Sequence, residues 1–447
     1  MDILKDIVFP QSPTHLMLLK YLFFLTMVLL LPYLSVLIGS TLFSLMHFSK
    51  GKKYNDKKAL IFAKELIDIF TINKSMTIAL GIVPMLSLTF VFAQLLYGTQ
   101  LNFTPDFVFS LLLFIAALFN LYIYKYSFAL KNIFSLVNSV DIKDKELVGE
   151  FENFRNSNSK LLSYSGWAAL LLFLIVSYIL IGIIKIANTQ ILESSIIKII
   201  FSTDTILFFL FYVSFSLAIT CAAVTFKYFK NDAEQRSKDY LDYIKMFILK
   251  TGIIYTFLMP LLFVVSLINE PVHSLSFPVF IVSAIIMLLM LMISILFYLM
   301  YKESKVNLGG TAVFVFLILS SLLIYKDQMA FETKNVKNVF EQEKAYKLFA
   351  AKIKEDAGIT EVVEIRGEDI FNAKCIACHR FDSQLVGPAY NEVLPKYDGK
   401  RAELINFIMN PRKINPKLPA MPNQGLKPKE AEAIADYIVK VYQENKK

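Results

Sequence analysis

Histidine and cysteine are scarce in this chain: four and three residues in 447. Three cysteines exclude a disulfide framework. Of the four histidines one is taken by the motif described below, and three are too few for a bundle that holds two haems between histidine pairs, or for a copper–haem oxidase. Charge is also scarce. Charged residues make up 19% and apolar residues 56%, against about 25% and about 45–50% in typical soluble domains. With a mean hydropathy of +0.53, this excludes a disordered chain and argues against a wholly soluble one. The net charge of +9 does not form a patch. Lys and Arg fill short gaps between apolar blocks, a polytopic membrane pattern rather than a nucleic-acid surface. Within the apolar blocks the sole acid is Asp204. Proton relays and ion-driven transporters display buried carboxylates, so those classes are disfavoured. No internal repeat or low-complexity tract is present.

What the chain does have is long apolar runs. A helix needs roughly 20 apolar residues to cross about 30 Å of hydrocarbon. Eight such stretches occur, near Leu16–Phe48, Ser75–Tyr97, Phe107–Leu130, Ser163–Ile184, Ile200–Phe226, Met246–Ile268, Phe277–Tyr301 and Leu308–Tyr325. The first would span roughly 50 Å as a helix, so it must tilt or project. Pro84 and Pro260 fall mid-span, where a kink is expected. The gaps after spans 1, 3, 5 and 7 carry seven, five, five and two Lys or Arg, whereas the other side counts Lys5 and Lys198. The positive-inside rule then places both termini outside the cytoplasm. The N-terminus lacks a basic n-region and a cleavage site, so span 1 is expected to persist. Ala59–Thr71 reads as an amphipathic helix on the cytoplasmic face.

The sharpest motif lies after the last span. Lys374-Cys375-Ile376-Ala377-Cys378-His379-Arg380 contains C-x-x-C-H, the spacing of covalent c-type haem attachment. Two thiols form thioethers with the haem vinyl groups, and the adjacent imidazole becomes the proximal iron ligand. A thioredoxin-like C-x-x-C does not need the histidine. A zinc site would want further Cys or His nearby, and none lies within about 100 residues.

The stretch from Ile365 to Tyr442 resembles the class I, single-haem cytochrome c family. In that family a short helix carries a Gly and an aromatic residue before the haem motif, matched here by Gly367 and Phe371. A C-terminal helix crosses it, matched by Lys429–Tyr442 with Tyr437 as the aromatic partner. A Gly-Pro supports the proximal histidine, matched by Gly387-Pro388, whose Pro388 carbonyl can accept the imidazole N–H and fix the ring. The resemblance implies a sixth ligand from a Met-Pro context before the last helix, which is Met421 in Leu418-Pro419-Ala420-Met421-Pro422. Met409 is the rival, in a helical stretch where a Met more often packs in a core. A thioether favours Fe(II) and raises the potential. Arg380 and Tyr397 are read as solvated surface, with contact to the haem propionates as the alternative.

The membrane part says less. His15 and His273 fall on the same side as the haem domain and are the candidates for a second haem, a haem b, or a quinol site. His47 beside Lys50, Lys52 and Lys53 reads as a basic juxtamembrane residue, and Cys221 as a small buried one. The expected architecture is all-α: an eight-helix membrane domain over 1–326 with both termini outside, a helical spacer over 327–358, and a small monohaem cytochrome c-like domain over 359–447. The expected function is electron transfer in a respiratory chain, with one covalent haem c on the periplasmic side of a bacterial inner membrane. Membrane lipid, other respiratory subunits or a soluble periplasmic carrier, and quinol are the expected partners; nucleic acid is not. A subunit of a quinol- or cytochrome-linked oxidoreductase is the enzyme reading left open. The alternative is a haem-based redox or ligand sensor, or a non-enzymatic membrane scaffold.

Overall fold

The computed structural model describes residues 11–71, 73–95, 103–137, 145–187, 201–230, 236–270, 276–357, 366–376, 378–416 and 418–445. The chain divides into two compact units, Met1–Ala350 and Ala351–Lys447. No strand occurs among the described residues.

The first unit holds α1 (Pro13–Tyr54), α2 (Lys57–Phe70), α3 (Lys74–Leu95), α4 (Thr104–Val137), α5 (Lys145–Ala187), α6 (Thr203–Lys230), α7 (Lys238–Ile268), α8 (Phe277–Lys302) and, as far as Ala350, α9 (Gly309–Asp356). All but α2 contain a stretch long and apolar enough to cross a membrane, which matches the eight spans expected. The helices run beyond the apolar stretches because flanking polar residues such as those of Lys145–Lys160 continue the same backbone ladder. The last span and the expected spacer are likewise one helix, α9.

α1 is the hub, packing on α2, α3, α5 and α6. Its buried face mixes Leu30, Leu34, Leu37 and Phe43 with Ser35, Ser40, Thr41 and Ser44. Small side chains let backbones approach closely where lipid supplies no hydrophobic drive. Ser35 donates to Leu31 O at 2.7 Å within the helix, and Ser44 to Ala63 O at 2.6 Å across to α2, whereas the Thr41 hydroxyl is buried with no partner. Pro32, which the sequence reading passed over, also lies inside α1. In α3 a π-turn at Ile78–Ile82 precedes Pro84, which supplies no N–H to the preceding turn. Pro260 sits inside an unbroken α7.

α2 is the amphipathic helix foreseen from Ala59–Thr71. Asp56 caps it by accepting from Ala59 N at 3.2 Å. Phe62, Ala63, Leu66 and Ile67 turn inward. Glu65 accepts from Tyr228 at 2.7 Å and Tyr240 at 2.8 Å, tying α2 to α6 and α7. His47, read from the sequence as a basic juxtamembrane residue, is buried: α2 folds back beside the end of α1, and Phe62, Tyr243 and Phe247 meet the imidazole edge to face. Its Nδ1 lies 2.8 Å from Phe43 O. Cys221 is fully buried, as a small apolar residue would be.

The opposite end carries a buried ionic cluster. Lys185, closing α5, and Lys326 of α9 converge on Glu270 Oε1 at 2.6 and 2.7 Å, and Lys326 also lies 3.0 Å from Asp327. The sequence count of cations on this side omitted Lys185. Burial pushes the Glu270 carboxyl up, but the two ammonium groups outweigh it and hold it at about 2.

Candidate functional site

In the second unit, α10 (Gly367–Ile370) runs into a π-turn, Phe371–Cys375, and α13 (Pro428–Asn445) packs against it. Between them lie α11 (Tyr390–Val393) and α12 (Arg401–Met409). Gly367 faces the backbone of Ala433 and the Cβ of Tyr437 so closely that any side chain would collide. The two helices therefore touch backbone to backbone. Phe371 then reaches Tyr437 at 5.6 Å between ring centroids, and Phe381 at 5.5 Å. Around this pair Cys375, Leu394, Leu404, Ile408, Ile434 and Ile438 form a small core. Arg401 holds Asp436 with two charged hydrogen bonds, 2.6 and 2.8 Å, which joins α12 to α13. The guanidinium keeps that carboxyl below its ordinary range.

The thiol-bearing segment is a tight turn. Cys378 N and His379 N both donate to Cys375 O, at 3.1 and 3.0 Å. Gly387 N donates to Cys378 O at 2.8 Å, and Tyr390 N to Arg380 O at 2.9 Å, closing the following loop onto the turn. That loop decides where the imidazole goes. A Cβ on Gly387 would overlap the His379 ring. His379 Nδ1 lies 3.2 Å from Pro388 O, so with the proton on Nδ1 it donates to that carbonyl and Nε2 is left as the free lone pair. Tyr390 stacks on the imidazole, its ring centroid 5.0 Å away and its plane inclined by 20°.

A cavity of about 290 Å³ opens beside this turn, lined by Cys375, His379, Pro388, Tyr390, Tyr397 and Met421 with apolar walls from Leu394, Leu404, Ile408 and Ile438. An adjoining recess of about 70 Å³ shares Cys375, His379 and Met421 and adds Cys378. Met409, the rival sulfur, packs against the small core instead and does not line either space. Burial raises the Cys375 thiol, so it stays protonated near neutral pH. The Tyr390 hydroxyl is raised further by burial and stays a neutral phenol.

These residues fit a haem. The imidazole, whose other nitrogen is already bonded, and the Met421 thioether are donors that suit iron in a macrocycle, the two thiols suit covalent attachment to its vinyl groups, and the apolar walls suit a flat hydrophobic ring. Arg412 and Lys413 add positive charge at the wall, which suits the ring's carboxylates.

The cytochrome c family model matches residues 365–441. Over 77 residues the chain is 40% identical to cytochrome c-551 of Pseudomonas denitrificans, covering 94% of that protein and 16% of this one. This chain belongs to the cytochrome c family. It is also 35% identical over 72 residues to cytochrome c-551 of Pseudomonas aeruginosa, 68% of that protein and 15% of this chain. A third similarity, 49% over 35 residues, is to cytochrome c-551 of Azotobacter vinelandii, 43% of that protein and 8% of this chain. No solved structure matches. The cytochrome c domain implies a covalently bound haem c and electron transfer, in a chain whose eight apolar helices mark it as a multi-pass membrane protein.

Sequence reasoning missed Tyr390. It stands next to the Gly-Pro pair, but nothing in the local pattern says that its ring stacks on His379. Tyr397 was read as surface; it lines the cavity and packs on Phe407, 6.1 Å between centroids, because the turn at Leu394–Tyr397 carries it inward. Arg380 is exposed. Of the two histidines singled out in the membrane part, His15 Nε2 pairs with Gln94 Oε1 at 2.7 Å. His273 lies outside the described residues.

Proposed function

We propose that this cytochrome c carries electrons in a respiratory chain, with its haem domain on the extracytoplasmic side of a bacterial inner membrane. It would pass them between the membrane pool or a partner complex and a soluble carrier. The observation that supports the reading most is that one cavity is lined both by His379, with Nδ1 held by Pro388, and by Met421. Cys375 and Cys378 are the attachment thiols in this reading, and His379 and Met421 the axial ligands. Haem c supplies one-electron Fe(III)/Fe(II) chemistry when bound. The chain's part is to hold it: Pro388 fixes the imidazole plane, Met421 offers a soft donor, and the apolar walls exclude water. Two protein donors leave no position for oxygen or substrate, which favours electron transfer over ligand sensing. The orientation rests on the cationic gaps gathered at one end of the bundle.

Replacing Met421 by Ala tests this. The oxidised protein should lose the long-wavelength sulfur-to-iron charge-transfer band, bind added imidazole, and fall in potential. Met409→Ala should leave the spectrum unchanged and, because the side chain is half-buried, cost less than about 2–5 kcal/mol, the range for a fully buried Met. A wild-type haem that is high-spin and binds small ligands freely would refute electron transfer and move the sensor reading ahead.

A further inference from the structure

The cation-rich end of the membrane unit contains a recess of about 330 Å³ that the haem function does not use. α1 contributes Phe48 and Lys52, α4 contributes Lys131 and Phe134, and α5 contributes Arg155, Asn158, Ser159 and Leu162. The three cations share one feature. Elsewhere at this end Lys50 pairs with Asp56, Lys58 with Asp239, Lys125 with Asp68, and Arg236 with Glu65. Lys52, Lys131 and Arg155 pair with no carboxylate among the described residues. Lys52 stands close enough to Lys131 for their charges to repel, and Lys131 Nζ sits 5.2 Å over the Phe48 ring. Gathering like charges around a concavity costs free energy unless an anion occupies it.

A second observation narrows the anion. Asn158 is 7% exposed. Its amide N–H donates to Ser127 O at 3.0 Å, while its Oδ1 is buried with no hydrogen-bond partner. A buried acceptor left unmade costs about 1–3 kcal/mol. The recess thus asks for negative charge and for a donor. The floor, Phe48 and Leu162, is apolar and buried, and it lies at the ends of spanning helices, where lipid headgroups sit.

We propose that this recess binds the phosphodiester of a glycerophospholipid whose headgroup carries a hydroxyl, with Lys52, Lys131 and Arg155 on the phosphate and Asn158 Oδ1 accepting from the headgroup. Arg and Lys contacts of this kind are charge-assisted and short. A free phosphate ion shares the first half of that chemistry but would leave the apolar floor uncovered.

The test is native mass spectrometry of the full haem-loaded chain in a neutral detergent. The probes are dioctanoyl phosphatidylglycerol, dioctanoyl phosphatidylcholine and inorganic phosphate. Phosphatidylglycerol should give one saturable adduct and bind about tenfold more tightly than phosphatidylcholine, which lacks the hydroxyl and carries its own cation. Lys131→Gln and Arg155→Gln should each weaken the adduct about tenfold, the loss of one charge-assisted hydrogen bond, whereas Lys131→Arg should retain it. The haem spectrum should be the same in all of them. If inorganic phosphate displaces the lipid at equal concentration and is itself weakened by the Gln substitutions, the occupant is the free ion and the lipid assignment is overturned. If both Gln variants bind phosphatidylglycerol like wild type, or if both lipids bind alike, the site is overturned. Should a Gln variant not fold, the contrast between the two lipids on the wild-type chain still decides.

Discussion

Gly387→Ala should be the most damaging one-methyl change in the haem domain. An ideal Cβ there would lie 2.6 Å from His379 Nδ1 and 2.7 Å from its Nε2, well inside van der Waals contact. Gly387 does not have a positive φ, so the damage is steric and not a matter of backbone strain. The imidazole must move by roughly the missing ångström, or the loop must. Either way the Nδ1–Pro388 hydrogen bond, 3.2 Å in the native arrangement, is lost at about 0.5–1.5 kcal/mol, on top of overpacking at about 1–3 kcal/mol. Together these come to about 1.5–4.5 kcal/mol. For a domain of this size each kcal/mol shifts Tm by about 4–8 °C, so a fall of about 6–36 °C is expected. The assay is thermal unfolding of the loaded protein, followed by the haem absorbance, with a redox titration alongside. The potential should shift as well, because the imidazole loses the partner that fixes its basicity. Gly425→Ala is the control. Gly425 has φ +61° and open space around the Cβ position, so it should cost about 1–2 kcal/mol of backbone strain and leave the potential unmoved. A Gly387→Ala protein that melts within a few degrees of wild type at an unchanged potential would refute the claim that this loop positions the imidazole.

Haem should stay with the polypeptide through denaturing electrophoresis and be lost in a Cys375→Ser, Cys378→Ser double variant; haem removed from wild type by acid–acetone would show that the attachment is not covalent. Cysteine reporters at Asn102 and Ser157 should label from opposite sides of the membrane in intact cells, Asn102 from outside; labelling of Ser157 from outside would invert or redraw the orientation. Glu270 has a carboxyl held near about 2 in the fold against an ordinary 4.5, so its contribution to stability is present above about pH 4.5 and is lost as pH falls toward 2. Glu270→Gln should therefore lower the melting midpoint at neutral pH, by the equivalent of about 3–5 kcal/mol for a broken buried pair, and the gap to wild type should narrow as pH falls through that window. A gap that does not change with pH would mean that Lys185 and Lys326 do not depend on the Glu270 charge.

The candidate haem site was legible because its chemistry is local. Cys375, Cys378 and His379 stand within five residues, and the turn that gathers them follows from that spacing. Gly367, Phe371, Tyr437 and Pro388 came from the family resemblance, and the structure brings each into contact with the partner it implied: Gly367 with the Ala433 backbone, Phe371 with Tyr437, Pro388 with His379. Tyr390 and Tyr397 were not legible. Whether an aromatic ring faces a cavity depends on the path of the loop that carries it, and an isolated Tyr has no periodicity to read.

The membrane unit shows where linear reading runs out. Eight spans were evident because each is a continuous apolar run, a property of neighbours in sequence. The ionic cluster is a property of neighbours in space: Lys185 and Glu270 are 85 residues apart, and Lys326 and Glu270 are 56 apart. Each lies at the edge of an apolar block, where a charge reads as an ordinary boundary residue. Together they bear on the orientation argument. The positive-inside rule counts Lys and Arg near the span ends, and Lys185 and Lys326 both fall at the end taken as external. In the fold both ammonium groups bind Glu270, and Asp327 lies 3.0 Å from Lys326, so two cations meet two carboxylates and the cluster as a whole is neutral. At the other end Lys52, Lys131 and Arg155 have no such partners among the described residues. Carboxylates contribute little to the rule, so both lysines belong in the count; with them the external side has four cations against nineteen, and the cation-rich end is still the one expected to face the cytoplasm.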